Sequence, residues 1–193
     1  MTSLLRELTT TIYLVRHAHA DWHRDDARPL SASGLEAAQA VATLLEGFPI
    51  TAVYSSDMRR SVETVTPLAD RLGLRPRLVP DLRERELPVV PTKEFDSVVA
   101  ASWRSPESGA AGGEWNVMAQ ARGLATMRSI VRRHTGQHVV VSTHGNMLAL
   151  ILNGMDPAFG YEFWRRLSFP DVYRLEFDGT TLIRVQRIWQ PAG

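Results

Sequence analysis

Two histidines in this chain stand where apolar runs end. TIYLVRHAHAD delivers Arg16-His17, and HVVVSTHGN delivers His144-Gly145. A neutral imidazole nitrogen attacks phosphorus to form a phosphoramidate, which divides one difficult transfer into two easier ones. The guanidinium of Arg16 beside such a nucleophile suits a dianionic phosphate. The other ring nitrogen of His17 needs an acceptor that holds its tautomer, often a backbone carbonyl. His144 suits a hydrogen-bond donor to a phosphoryl oxygen, because charge spreads over those oxygens in the transition state. Gly145 lets the backbone turn sharply there and lets a ligand approach.

Further charged residues fit the same chemistry. Arg59 and Arg60 follow Ser55-Ser56-Asp57-Met58 at the start of a helical pattern. The helix dipole disfavours cations at that end, so an anion is a reason for one arginine while the other faces solvent. Glu84 stands between Arg83 and Arg85 in DLRERELP. One carboxyl there protonates a leaving alkoxide and later deprotonates the attacking water. The alternation of His17, His19 and Asp21 also reads as the ligand spacing of a metal-dependent hydrolase. That reading needs further ligands at later strand ends, and only His23, His134, His138 and His144 remain.

Strands alternating with helices must carry these residues. A Val-rich run followed by a helical pattern is how a parallel strand feeds a crevice. Thr10–Val15 predicts the first strand. Ser33 predicts a helix start with Glu36 as its capping-box partner, and Gly47 ends that helix. Ala52–Ser55 predicts a short strand, and RRSVETVTPLADRL a helix stopped by a left-handed Gly73. Pro67 inside it predicts a kink or break. Arg77–Val79 is a third strand candidate. Trp115–Arg133 predicts a long helix, His138–Ser142 a fully buried strand, and Asn146–Leu152 the start of the next helix. Asp171–Phe177 and Thr181–Trp189 flank Asp178-Gly179, a hairpin signal. In residues 88–113, prolines and glycines surround a short helical stretch near Lys93–Ala101, which reads as an inserted lid or loop beside the site. Trp22, His23, Trp103 and Trp115 are candidates to line that site. The pattern predicts a three-layer α/β/α sandwich, its sheet mostly parallel with an antiparallel edge strand.

Composition bounds the function. The 193 residues suit a single domain over 1–193, and 44% hydrophobic with 22% charged residues is a globular balance. A net charge of +1 gives no footprint for nucleic acid. The chain has no cysteine, which excludes disulfides and thiol catalysis. No apolar stretch spans a bilayer, and MTSLLRELTT lacks the apolar core of a signal peptide, so the expected location is cytoplasmic. Oligomeric state stays open, a homodimer included.

With these residues in hand, the chain resembles the histidine phosphatase superfamily, the phosphoglycerate mutase-like family. LVRHA at 14–18 is similar to the family's strand ending in Arg-His-Gly. RPLSASGLEAAQAVA at 28–42 is similar to its following loop and first helix. YSSDMRRSVETV at 54–65 resembles its Ser-Ser-x-x-x-Arg-Ala-x-x-Thr helix start, a register that selects Arg60 and retains Thr64. LRE at 82–84, GGE at 112–114 and VSTHGN at 141–146 follow in the family's order. The resemblance implies His17 as the phosphorylated nucleophile and Arg16, Arg60 and His144 as the phosphate pocket. It implies Glu84 as the proton donor, and neither a metal nor an organic cofactor. Ala18 replaces the motif glycine, as in the small-phosphatase branch, so its backbone must avoid glycine-only angles. The family's Gly-x-Trp-Glu-Gly stretch is absent, which leaves Glu86 as the alternative to Glu84.

The resemblance implies a histidine acid phosphatase-type phosphoric monoester hydrolase, acting without metal on a small phosphorylated metabolite. A phosphohistidine-bearing protein is the alternative substrate, since RHA and RPLSASG look like the small phosphohistidine phosphatases. Phosphoglycerate mutase activity follows. The family's mutases carry larger insertions than the segment at 88–113, which favours water as the acceptor. A metal-dependent hydrolase and a non-catalytic phospho-ligand module complete the alternatives; the module would not need both His17 and Glu84.

Overall fold

The computed structural model describes residues 9–21, 28–87, 92–107 and 113–190. Its elements are β1 (Thr10–Arg16), α1 (Ala32–Leu45), β2 (Ile50–Ser55), α2 (Arg59–Arg71), β3 (Arg77–Leu78), α3 (Phe95–Arg104) and α4 (Asn116–Arg133). They continue with β4 (His138–Thr143), α5 (Gly145–Asn153), α6 (Tyr161–Arg165), β5 (Asp171–Asp178) and β6 (Thr181–Arg187). The strands form one sheet in the order β3-β2-β4-β1-β5-β6. β3, β2, β4 and β1 run parallel, and β5 and β6 add two antiparallel strands at the edge.

Strand alternation builds the layers. Successive side chains of a strand point to opposite faces. Ile12 and Leu14 of β1, with Val139 and Val141 of β4 and Tyr54 of β2, pack on one side against α4 and α5. Tyr13, Val15, Val53 and Val140 pack on the other against α1 and α2. Neither strand face meets water, which explains why β1 and β4 read as continuous apolar runs. Each fully buried Leu, Ile or Val contributes about 1.5–3 kcal/mol.

Register then places the site. Arg16 pairs with Thr143, and Ser55 of β2 pairs with Ser142. The His17 and Ser56 backbone N–H groups donate to the Thr143 and Ser142 carbonyls at 3.0 and 3.1 Å. Three chain segments therefore leave the sheet side by side at its carboxyl end, carrying His17, His144 and Ser56.

Several local expectations change. The α1 cap is Ser31, not Ser33: its hydroxyl accepts from the Gly34 N–H at 3.1 Å. Ser31 has the extended backbone a cap needs, whereas Ser33 already lies in the first turn and Glu36 is exposed. α2 runs unbroken through Pro67, which stands on the half-exposed outer face of the helix. β6 ends at Arg187, and the N–H groups of Ile188 and Trp189 both reach the Val172 carbonyl. α3 begins at Phe95, after a 3-10 turn at Thr92–Glu94, and runs to Arg104. Gly73 takes the expected left-handed conformation, with φ 66°. Trp22, His23 and the ends of the inserted segment, at 88–91 and 108–112, lie outside the described residues.

Candidate active site

His17 follows β1 and is 7% exposed. Its Nδ1 lies 2.7 Å from the Ala18 carbonyl, the acceptor that the tautomer argument requires. Nδ1 must carry the hydrogen, so Nε2 keeps its lone pair. That nitrogen receives the Nε–H of Arg60 at 3.3 Å. Burial, reinforced by the positive charges of Arg60, Arg16 and Arg28, holds the imidazolium down to a pKa of about 3. The hydrogen bond to the Ala18 carbonyl pulls the other way, without offsetting burial and Arg60. His17 is therefore a neutral imidazole at any physiological pH, with its unprotonated Nε2 turned to a guanidinium.

Ala18 is fully buried against Leu30 and Ala38. Its N–H donates to Thr64 Oγ1 at 2.9 Å, and that hydroxyl donates to the Arg60 carbonyl at 2.7 Å. Among the described residues no side-chain-bearing residue has positive φ, so the methyl that replaces the motif glycine fits without strain. Thr64 thus joins the backbone beside the nucleophile to the helix that carries Arg60.

Arg59 and Arg60 part company as the helix turns. Arg59 is exposed and pairs with Glu63 at 2.6 Å. Arg60 is 5% exposed and faces His17. Arg16 lies on the other side: its Nη1 donates to the Leu167 carbonyl at 2.8 Å, and its guanidinium stacks 3.4 Å over the ring of Phe169. Burial lowers the Arg16 pKa to about 10, against the opposing pull of Glu84 and Asp171, so it stays a cation. Its Nε is buried without a hydrogen-bond partner. A Cβ on Gly145 would stand 3.0 Å from the Arg16 guanidinium carbon. The close approach that glycine permits here is taken by the arginine.

His144 is fully buried, and its ring stands edge-on to that of His17, centroids 5.0 Å apart. Its Nε2 meets Ser56 Oγ at 2.7 Å, and its Nδ1 is buried without a partner. Burial comes first, then the coupling to the His17 ring, which disfavours a second proton in the pair, and the positive charges of Arg60 and Arg16; together they hold His144 neutral, well below the usual histidine range.

Glu84 reaches the same place from the loop after β3. Its carboxylate accepts the N–H groups of Asn146 at 3.1 Å and Met147 at 3.0 Å, in the first turn of α5, and of Arg85 at 2.9 Å. The helix N-terminus thus draws the carboxylate to the site. Arg122 holds the loop behind it. Its guanidinium donates to the carbonyls of Asp81, Arg83 and Glu84 and pairs with Glu114 at 2.7 Å. Glu86 is exposed, and its backbone joins Glu114 instead. The geometry therefore separates the two carboxylates: Glu84 is bound by the first turn of α5, the helix that follows His144, whereas Glu86 is exposed.

The structure brings together His17, His144, Arg16, Arg60 and Glu84. The alternation His17, His19, Asp21 does not gather: His19 Nδ1 bonds the Ser31 hydroxyl at 2.8 Å. Among the described residues no three His, Cys, Asp or Glu side chains form a group fit for a metal ion. Trp103 lines a separate cavity of about 460 Å³ between α3, α4, α5 and α6. Trp115 caps α4. Residue reasoning missed Ser56, Arg28 and Phe169. Ser56 lies inside the YSSDMRRSVETV motif and Arg28 opens RPLSASGLEAAQAVA; Phe169 had no signal that tied it to the site.

Residues 12–187 match the model of the histidine phosphatase superfamily (branch 1), and the chain belongs to that family. It is 34% identical over 101 residues to a probable phosphoglycerate mutase GpmB of Escherichia fergusonii, a match spanning 48% of this chain and 47% of that protein. That is about half the length of this relative. It is 30% identical over 169 residues to a metal-independent phosphoserine phosphatase of Arabidopsis thaliana, covering 74% of this chain and 67% of that one. The solved structure of Bacillus stearothermophilus YhfR superposes with a TM-score of 0.76 at 25% identity, covering 90% of this chain and 94% of that one. The sheet with its antiparallel edge strands is the phosphoglycerate mutase-like fold. Relatives thus include both phosphatases and mutases. Among the described residues no helix is long and apolar enough to cross a membrane.

Proposed function

We propose that this protein is a metal-independent phosphatase that hydrolyses phosphomonoesters of small metabolites through a phosphohistidine on His17. One observation carries the reading: the Nδ1–H bond to the Ala18 carbonyl leaves His17 Nε2 unprotonated, its lone pair turned to the buried Arg60, with the half-buried Arg16 adding positive charge. In the first step Nε2 attacks phosphorus, the bond from phosphorus to the ester oxygen breaks, and Glu84 gives its proton to the leaving alkoxide. In the second step Glu84 takes a proton from water, whose oxygen attacks phosphorus. The P–N bond breaks and its electron pair returns to Nε2, with release of inorganic phosphate. Arg16 and Arg60 balance the dianion, and the His144 Nδ1–H supports a phosphoryl oxygen as charge spreads in the transition state.

The phosphoserine phosphatase and mutase relatives support phosphorylated small acids as a substrate class to screen. The test is rapid quench with a panel of phosphorylated metabolites, an aryl phosphate and a phosphohistidine peptide, with and without chelator. The expected result is an acid-labile phosphoenzyme that His17→Ala does not form, and turnover indifferent to the chelator. Equal turnover by His17→Ala, or loss on chelation restored by zinc or manganese, would overturn the reading. Preference for the phosphohistidine peptide would move the substrate to a protein.

A further inference from the structure

Both histidines of the site are neutral, so each has one N–H and one lone pair to place. For His17 the Ala18 carbonyl makes the choice, because a carbonyl only accepts. For His144 the partner is a hydroxyl, which both donates and accepts. Two arrangements of the 2.7 Å contact between Ser56 Oγ and His144 Nε2 are open. In one, His144 donates from Nε2, and a bare lone pair on Nδ1 faces the site. A phosphoryl oxygen placed there meets lone pair against lone pair. In the other, Ser56 donates to Nε2, and Nδ1 carries the hydrogen.

We infer that Ser56 is the positioning residue of the site: its hydroxyl donates to His144 Nε2 and thereby makes Nδ1–H a donor for a phosphoryl oxygen. The surroundings of Ser56 favour this direction. Its backbone is fixed at both ends, by its own N–H on the Ser142 carbonyl at 3.1 Å and by the Ser55 hydroxyl on its carbonyl at 2.7 Å. Its side chain is fully buried, and His144 Nε2 is its hydrogen-bond partner among the described residues. The neighbouring hydroxyls are committed to each other: Ser55 to Ser61 at 2.9 Å, and Ser61 to Ser142 at 2.8 Å. The Ser56 proton therefore has one acceptor within reach, the imidazole. On the other side of the ring, Nδ1 is buried without a partner. An N–H aimed at a substrate oxygen accounts for that orphaned atom, since a buried polar group is otherwise costly. Both imidazoles then share the Nδ1–H tautomer and present opposite atoms to the phosphoryl group: a lone pair from His17 to phosphorus, a hydrogen from His144 to an oxygen.

This inference rests on the phosphatase reading, and the test separates the two. In the protein labelled with 15N at histidine, the nitrogen shifts of His144 report its tautomer without any turnover. The expected signature is a protonated Nδ1 and a bare Nε2, kept in Ser56→Cys and mixed in Ser56→Ala. A protonated Nε2 in the wild type overturns the inference whether or not the protein is a phosphatase. In the kinetic arm, Ser56→Ala lowers kcat for an aryl phosphate by 10-fold or more on the order of a lost oxyanion donor. It also weakens competitive inhibition by inorganic vanadate, while the phosphoenzyme still forms on His17. Unchanged kcat and vanadate inhibition in Ser56→Ala would reduce Ser56 to packing. Absence of turnover in the wild type, with the tautomer as expected, would sink the phosphatase reading alone.

Discussion

Burial of His17 makes the stability of this protein depend on pH in a definite direction. A histidine in the unfolded chain titrates near 6.5; in the fold, burial and the neighbouring arginines bring His17 to about 3. The folded value lies below the unfolded one, so protons favour the unfolded chain. Stability is whole above pH 6.5 and declines as pH falls from 6.5 towards 3. The loss is about 1.4 kcal/mol per pH unit across that window, so lowering pH from 7.5 to 5 removes about 2 kcal/mol through His17. His144 acts in the same direction. The assay is urea unfolding at both pH values in phosphate-free buffer, for the wild type and His17→Gln. The variant keeps the buried position but no longer titrates. The wild type should lose about 2 kcal/mol more than His17→Gln over this interval. Parallel pH dependences, within about 0.5 kcal/mol, would refute the claim that the fold holds His17 neutral.

Two further perturbations probe the site. Glu84→Gln should slow hydrolysis of alkyl phosphates far more than of aryl phosphates with good leaving groups, because only the former need a proton at departure. Glu86→Gln should leave both rates unchanged, and a reversal of the two variants in a leaving-group series would move the acid to Glu86. Gly145→Ala places a methyl 3.0 Å from the Arg16 guanidinium, which the Leu167 carbonyl and the Phe169 ring hold in place. The arginine must shift by several tenths of an ångström, and the expected result is a rise in KM of about 10-fold with the fold intact, read by steady-state kinetics and circular dichroism.

The layered fold was legible because its signals are local and repeated. Val-Val-Val in β4 and Ile-Tyr-Leu-Val in β1 bury both faces of the sheet, and continuous apolar runs are what such strands require. Helix ends were less legible where several residues compete for one role. Ser31 and Ser33 both have capping side chains, and only the extended backbone at Ser31 decided between them. The Glu84 and Glu86 ambiguity was of the same kind. Two carboxylates two residues apart look alike in the chain; the N-terminus of α5 selected one of them.

Residue type and order alone determined that a strand would carry Arg16-His17, that another would carry His144, and that their chemistry suited phosphorus. Those are properties of side-chain functional groups and of apolar periodicity, and both are written along the chain. Tertiary structure decided which nitrogen of each ring is free, which arginine is buried and which carboxylate is near. It also supplied Ser56, whose hydroxyl meets an imidazole 88 residues further along the chain. Tautomer, burial and proton affinity depend on atoms within a few ångströms, and sheet register brings those atoms together from remote positions.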